Sequence, residues 1–313
     1  MAFLRAIAAG LIIFVAGTVN TVWSQRIVWT EYGNGLIRSA NLDGSGQLTL
    51  VTMQETRPTG IAVDSAHQHL YWLHHWDNGT IPVSIRRANL DGSNLTELGP
   101  WFAHSLALDP TGVATGGVGK IYVGGSETFY LQRFNLDGSG VEVFTDYLGN
   151  DVNQHGISLD LAGERVFWSS CCSDDDTPHA IYKAGTDGAN VEILARDLQP
   201  RGVVYNQSDD NVYWLSQQTQ SIQRIDADGG AIVPLVSGVV DGYALALNSS
   251  LNKLIWSQQG GIWSANLDGT AAHQIVSLAQ GEVRGIAIIV PEPTTLAMLL
   301  AALPLAYLAC RRR

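Results

Sequence analysis

Asn41-Leu42-Asp43-Gly44-Ser45, Asn89-Leu90-Asp91-Gly92-Ser93 and Asn135-Leu136-Asp137-Gly138-Ser139 are three near-copies of one short stretch, and they decide how the chain is read. The stretch returns as Thr186-Asp187-Gly188, Ala227-Asp228-Gly229 and Asn266-Leu267-Asp268-Gly269. Successive aspartates stand 48, 46, 50, 41 and 40 residues apart. Asp-Gly between alternating apolar runs signals a hairpin, because glycine accepts positive φ without a steric cost.

Two further motifs interleave with the turns. One is Ile27-Val28-Trp29, Leu70-Tyr71-Trp72, Ile121-Tyr122-Val123, Val166-Phe167-Trp168, Val212-Tyr213-Trp214 and Leu254-Ile255-Trp256, all strand formers. The other runs Gly60-Ile61-Ala62-Val63-Asp64, Ser105 to Asp109, Gly156 to Asp160, Gly202 to Asn206, Ala244 to Asn248 and Gly285 to Ile288. Its alternating small residues suit a strand crowded near a central axis. Each unit thus holds a small-residue strand, an aromatic strand, a third strand such as Ile85-Arg86-Arg87-Ala88, an Asp-Gly turn and a fourth strand. Six such units predict an all-β, six-bladed β-propeller of four-stranded blades. The repeats start on an aromatic strand at Ile27 and finish on a small-residue strand at Ile288, so the N- and C-terminal strands are expected to close the ring within one blade.

The repeat resembles the YWTD propeller, the class B repeat of the low-density-lipoprotein receptor family, from about Arg26 to Ile289. The shared residues are Tyr71-Trp72, Tyr213-Trp214, the small-residue strands ending in Asp and the Leu-Asp-Gly-Ser turns. The Thr-Asp that follows Tyr-Trp in that family is absent: Leu73-His74 and Leu215-Ser216 stand there, and only Trp29-Thr30-Glu31 comes near. This departure puts in doubt the inter-blade bonds that Thr-Asp makes in the family, but not the blade plan.

Both ends read as targeting segments. Arg5, the apolar run Ala6 to Gly17 and Val22-Trp23-Ser24 form a secretory signal peptide over residues 1–24, which leaves a propeller over 25–290. Residues 291–313 hold Pro291-Glu292-Pro293, an apolar stretch from Thr294 to Cys310 and Arg311-Arg312-Arg313. As a helix the apolar stretch spans roughly 25 Å, barely a bilayer, with the arginines held on the cytoplasmic side. The tail resembles the PEP-CTERM sorting signal. That resemblance implies a bacterial protein, an exosortase-type processing enzyme as partner, membrane attachment through the C-terminal helix before processing, and residence at the envelope, cell surface or extracellular matrix. Exported chains can keep disulfides. Adjacent Cys171 and Cys172 read equally as a vicinal bridge or as two thiols.

With a net charge of −11 and no basic run before the C-terminus, the chain repels phosphate backbones, and nucleic-acid binding is not expected. In propellers of this kind the loops from strand two to three and from strand four to one share the face that usually binds. The residues just before the innermost strands, Thr59, His104, His155, Arg201, Tyr243 and Arg284, are expected at the channel mouth on that face, where they suit an anion, a sugar carboxylate or a metal. Trp76, Trp101, Phe102 and Tyr147, with His74 and His75, add aromatic loop groups suited to sugar or protein. Asp174-Asp175-Asp176 lacks the spacing of a Ca²⁺ loop. No Gly-x-Ser-x-Gly elbow, His-Glu-x-x-His or phosphate loop occurs, and Gly116-Gly117-Val118-Gly119 reads as a turn. The expectation is a non-enzymatic module with no cofactor, recognising extracellular protein or polysaccharide through its loop face. The alternative is a propeller hydrolase or lyase with His104 and His155 as ligand or base and Arg201 and Arg284 as anion clamps.

Overall fold

The computed structural model describes residues 25–54, 56–76, 84–100, 103–125, 131–145, 153–171, 179–197, 199–279 and 282–290. The segments read as signal peptide and sorting tail lie outside them, as do Trp101, Phe102, Tyr147 and Asp174-Asp175-Asp176. Among the described residues no helix is long and apolar enough to cross a membrane.

Arg26–Ile289 is a six-bladed β-propeller. Blade 1 orders its strands β24 (Val283–Ile289), β1 (Arg26–Glu31), β2 (Leu36–Asn41) and β3 (Leu48–Thr52). Blade 2 is β4 (Thr56–Asp64), β5 (His69–Trp76), β6 (Ser84–Asn89) and β7 (Thr96–Pro100). Blade 3 is β8 (Ser105–Asp109), β9 (Lys120–Gly124), β10 (Gln132–Asn135) and β11 (Glu142–Val143). Blade 4 is β12 (Asn153–Asp160), β13 (Arg165–Cys171), β14 (Ala180–Gly185) and β15 (Glu192–Arg196). Blade 5 is β16 (Pro200–Asn206), β17 (Asn211–Ser216), β18 (Ser221–Asp226) and β19 (Val233–Ser237). Blade 6 is β20 (Leu245–Asn248), β21 (Lys253–Gln258), β22 (Gly261–Asn266) and β23 (His273–Ser277). Every strand pair is antiparallel, and blade 1 joins the chain's last strand to its first three, as the matching half-units require.

The aromatic strand is the second of each blade and is buried on both faces. Trp29, Trp72, Trp168, Trp214 and Trp256 are at most 1% exposed. These rings fill the wedges between blades, where large side chains remove the most apolar surface from water. Accordingly the buried apolar residues fall into clusters that each bridge two neighbouring blades. One packs Trp29 of blade 1 with Ile255 and Ile262 of blade 6. Another packs Val28 with Trp72, and a third Tyr71 with Phe134. Around the rest of the ring Tyr122 meets Trp168, Phe167 meets Trp214 and Tyr213 meets Trp256.

The Asp that ends the inner strands is a turn device. Buried Asp64 accepts the His67 backbone N–H at 3.0 Å, and Asp160 accepts that of Gly163 at 3.0 Å. In the Asp-Gly turns, Asp43, Asp91 and Asp137 each accept the N–H and hydroxyl of the serine two residues on, which holds these carboxyls below the usual range. Gly116 and Gly117, at φ 76 and 103, follow the 3₁₀ turn Val113–Thr115.

Candidate functional site

The channel mouth is built by irregularities in the innermost strands. In β4 the pairing with β5 slips between Pro58 and Ile61, leaving Thr59 and Gly60 out of register. The slip in β12 falls between Gln154 and Gly156, around His155. In β16 it falls between Pro200 and Val203, around Arg201, and in β24 it leaves out Arg284. A β-bulge turns its extra residue away from the ladder, so four blades present their mouth residue by the same local device. His104 and Tyr243 stand ahead of β8 and β20.

Glycine follows four of these residues for a packing reason. A Cβ on Gly60 would press on the His104 carbonyl oxygen at 3.1 Å, and one on Gly202 on that of Tyr243 at 2.9 Å. Gly156 and Gly285 stand likewise against the carbonyls of Arg201 and Thr59. Each of these four blades, 1, 2, 4 and 5, thus leans on the mouth residue of the next.

The mouth side chains form an arc of flat groups. His75 stacks on His104 at 5.4 Å between ring centroids, and His104 on His155 at 5.7 Å. His155 meets Tyr243 edge-on at 5.6 Å, and its Nδ1 is 2.9 Å from the Tyr243 hydroxyl, a hydrogen bond between blade 4 and blade 6. From Tyr243 the arc continues as guanidinium and phenol in alternation. Arg284 lies 5.2 Å from the Tyr243 centroid and 3.5 Å from that of Tyr32, and Arg57 lies 5.2 Å from the Tyr32 centroid. Arg57 and His75 are register partners across β4 and β5, which returns the arc to blade 2. Arg201 joins from blade 5, 5.6 Å from Tyr243, and donates from Nη1 to Cys171 Sγ at 2.9 Å.

Burial governs the electrostatics. Desolvation, helped by Arg284, lowers the His75 pKa to about 4. Desolvation with His75, Arg284 and Arg201 does the same for His104, again to about 4. His155 is pushed well below its usual value, first by burial and then by Arg201. The three imidazoles are therefore neutral at physiological pH. Burial raises the Tyr243 phenol. Burial also works against the charged form of Arg284, but its two hydrogen bonds to Glu282, at 2.8 and 3.1 Å, outweigh that and raise it. Arg201 is lowered, by burial first.

The structure thus brings His104, His155, Arg201, Tyr243 and Arg284 into one contiguous group, with Thr59, 1% exposed, bound through its carbonyl to the Thr30 hydroxyl at 2.7 Å. His74 is fully buried inside blade 2, and Trp76 ends β5. Alternation along β5 sends His75, not His74, to the mouth. Tyr32, Arg57 and Glu282 also belong to the site, although no repeated motif marks them in the sequence. The imidazoles stack face to face rather than converge. Among the described residues the one group of three metal-type side chains with ligand atoms within 4.8 Å is Asp210, Asp226 and Asp228, of which Asp210 and Asp228 are already engaged by Arg165 and Lys183. Cys171 is buried and disulfide-bonded; Cys172 and Cys310 lie outside the described residues.

No family model matches the chain. It is similar to the human low-density lipoprotein receptor-related protein 5-like protein, 27% identical over 207 residues that take in 64% of this chain and 74% of that one. It is 24% identical over 172 residues to the protein cueball of Drosophila virilis, covering 51% of this chain and a quarter (25%) of that protein's length. Among solved structures, a chain of a nidogen/laminin complex superposes with a TM-score of 0.74 at 18% identity, over 86% of this chain and 100% of that one. TolB from Acinetobacter baumannii superposes at 0.66 and 15% identity, over 90% and 70%. These structural likenesses show the shared propeller fold, and the similarity to a lipoprotein receptor-related protein supports the YWTD character of the repeats.

Proposed function

We propose that this propeller is a protein-binding module whose recognition surface is the channel mouth and its rim. The observation that carries this reading is the arc of Tyr32, Arg284, Tyr243, His155, His104 and His75, a recessed surface of flat aromatic groups edged by guanidinium. Aromatic and arginine side chains supply most of the energy at protein interfaces, because they bury large area with few rotamers to freeze. The similarity to a receptor-related protein is in keeping with a binding role, though a shared fold alone does not assign one. Trp76, Trp101 and Tyr147 are carried into this proposal from their sequence positions alone.

In this reading the signal peptide exports the chain, and the Pro291-Glu292-Pro293 tail hands it to an exosortase-type enzyme at the bacterial envelope. The partner is an envelope or matrix protein, with matrix polysaccharide as the other extracellular candidate. The hydrolase alternative has less support, since His104 and His155 stack on each other rather than face a common point.

The test is capture of partners from envelope and matrix fractions by the wild-type chain, against a variant with alanine at Trp76, Trp101 and Tyr147 and a second with His104→Ala. Loss of the same captured protein in both variants is expected. Capture that survives both, with the variants folded, would place recognition elsewhere.

A further inference from the structure

The mouth is cationic within an acidic molecule. The chain carries a net charge of −11, yet none of the six mouth positions is acidic and two are arginines. Both guanidiniums lie against the one phenol ring of Tyr243, itself only 8% exposed. Like charges held together where water is scarce repel more strongly than at an open surface. Glu282 neutralises Arg284 from the rim and shows that a carboxylate fits this guanidinium through two parallel hydrogen bonds.

Hydrogen-bonding capacity points to the same place. Thr59 Oγ1, His75 Nε2 and His104 Nδ1 are buried and have no hydrogen-bond partner in the protein. Buried polar atoms are nearly always satisfied, so these three, on adjoining blades 2 and 3, leave hydrogen-bonding capacity that a polar guest could use. The Thr59 hydroxyl and the neutral His104 imidazole can each donate one hydrogen bond to an anion, weaker than those of the arginines. With Arg284 paired to Glu282, the charge in excess is that of Arg201, and it disfavours a cation. The walls are the flat rings of Tyr243, His155 and His104, which accommodate a planar anion better than a tetrahedral one.

We propose that the channel mouth is a binding site for a small organic carboxylate, held between Arg201 and Arg284 with Thr59 and His104 as further partners. The site uses the same face as the proposed protein interface but does not depend on a protein partner.

The experiment titrates glutarate into the purified full-length protein by calorimetry in low-chloride buffer near neutral pH, with sulfate and uncharged dimethyl glutarate as comparison probes. One glutarate bound per chain is expected, with sulfate weaker and the ester silent. Arg201→Gln and Arg284→Gln should each weaken binding by roughly ten-fold or more, the scale of one charge-assisted hydrogen bond, and Arg201→Lys should keep part of it. Because a variant can fail to fold, the arginine ¹⁵Nε resonances of the wild-type protein are followed in parallel, and two should shift on adding glutarate. Neither heat nor shift at millimolar glutarate, equal affinity for sulfate, or undiminished binding in folded Arg201→Gln and Arg284→Gln would overturn the proposal. Each of these results leaves the protein-partner reading untouched, because that reading is decided by capture and not by small anions.

Discussion

Gly188, in the Asp-Gly turn of blade 4, packs its Cα directly on the carbonyl oxygen of Phe144 at the outer edge of blade 3. The same contact recurs around the ring: Gly44 on Ile275, Gly92 on Leu50, Gly138 on Leu98 and Gly269 on Leu235. All five have φ between 82 and 87°, in the left-handed region. The recurrent Asp-Gly is therefore a joint between blades as well as a hairpin turn.

Gly188→Ala should consequently cost more than a turn substitution alone. The left-handed backbone contributes about 1–2 kcal/mol and the clash with the Phe144 carbonyl another 1–3 kcal/mol. Gly229, at φ 100, is the control, because a Cβ there would meet no atom within 4 Å. Gly229→Ala should show only the backbone part, about 1–2 kcal/mol. Urea unfolding of the two variants measures the difference; equal losses would mean that the joint is not what the glycine serves.

How much of this was legible in the sequence depends on whether a residue's role lies within one repeat or between two. The turns, the strands and the blade count all follow from local pattern, since Asp43 to Ser45 and Tyr71-Trp72 are self-contained signals. The residues read as the mouth stand at a fixed offset from each inner strand, which is again a pattern within one repeat. Gly188 against Phe144 does not follow, because the atom that demands glycine belongs to another blade. Nor do the bulges that aim His155 and Arg201, since a two-residue alternation cannot show where it slips. Tyr32, Arg57 and Glu282 reach the site from strand ends that carry no repeated motif.

Arg165 replaces a turn glycine's contact with charge. Between blades 4 and 5 it reaches Asp160 at 2.7 Å, Asp210 at 2.6 Å and Asp228 at 3.3 Å, and its guanidinium lies 5.3 Å from the Tyr205 ring. Asp160 is nearly buried, at 3% side-chain exposure, so Arg165→Ala strands a carboxylate. The loss should be about 2 kcal/mol, below that of a fully buried pair because Asp210 and Asp228 are well exposed. Arg165, followed by Tyr205, also holds the Asp210 carboxyl below its usual value. A lowered carboxyl adds stability above the unfolded carboxylate range and loses it as pH falls through the folded value. Urea midpoints measured down into the acid range should therefore fall less steeply in Arg165→Ala than in the wild type.

The stacked histidines give a second pH dependence at a higher pH. His75 and His104 titrate at about 4 in the folded chain against 6.5 for an unperturbed imidazole. Between those values the unfolded chain binds more protons, so stability is complete above about pH 6.5 and declines as the pH drops towards 4. The ring C–H resonances of both should still report the neutral form at pH 5.5 by proton NMR, a pH chosen as about midway in that window. Protonation of either at that pH would show that the mouth is wetter than its packing implies.

Ring closure rests on β24, which adds to β1 from Arg26↔Ile289 to Thr30↔Gly285 and is fastened by Tyr32 N–H to the Glu282 carbonyl at 2.8 Å. Without it, β1 becomes an unpaired inner edge, and the cluster of Trp29, Ile27 and Ile286 loses one wall to water. A chain ending at 282 should therefore fail to unfold cooperatively, whereas one ending at 290 should keep its transition. Ile286→Ala is the graded version: buried at 7% exposure, it should cost about 3 kcal/mol with an unchanged urea slope, because it thins the joint without opening it. If the chain ending at 282 unfolds with the midpoint and slope of the longer one, the blades hold together pairwise and closure adds nothing. If the midpoint survives but the slope falls, blade 1 has detached while the other five stay folded, and the ring is then a stack of separable joints rather than a single cooperative unit.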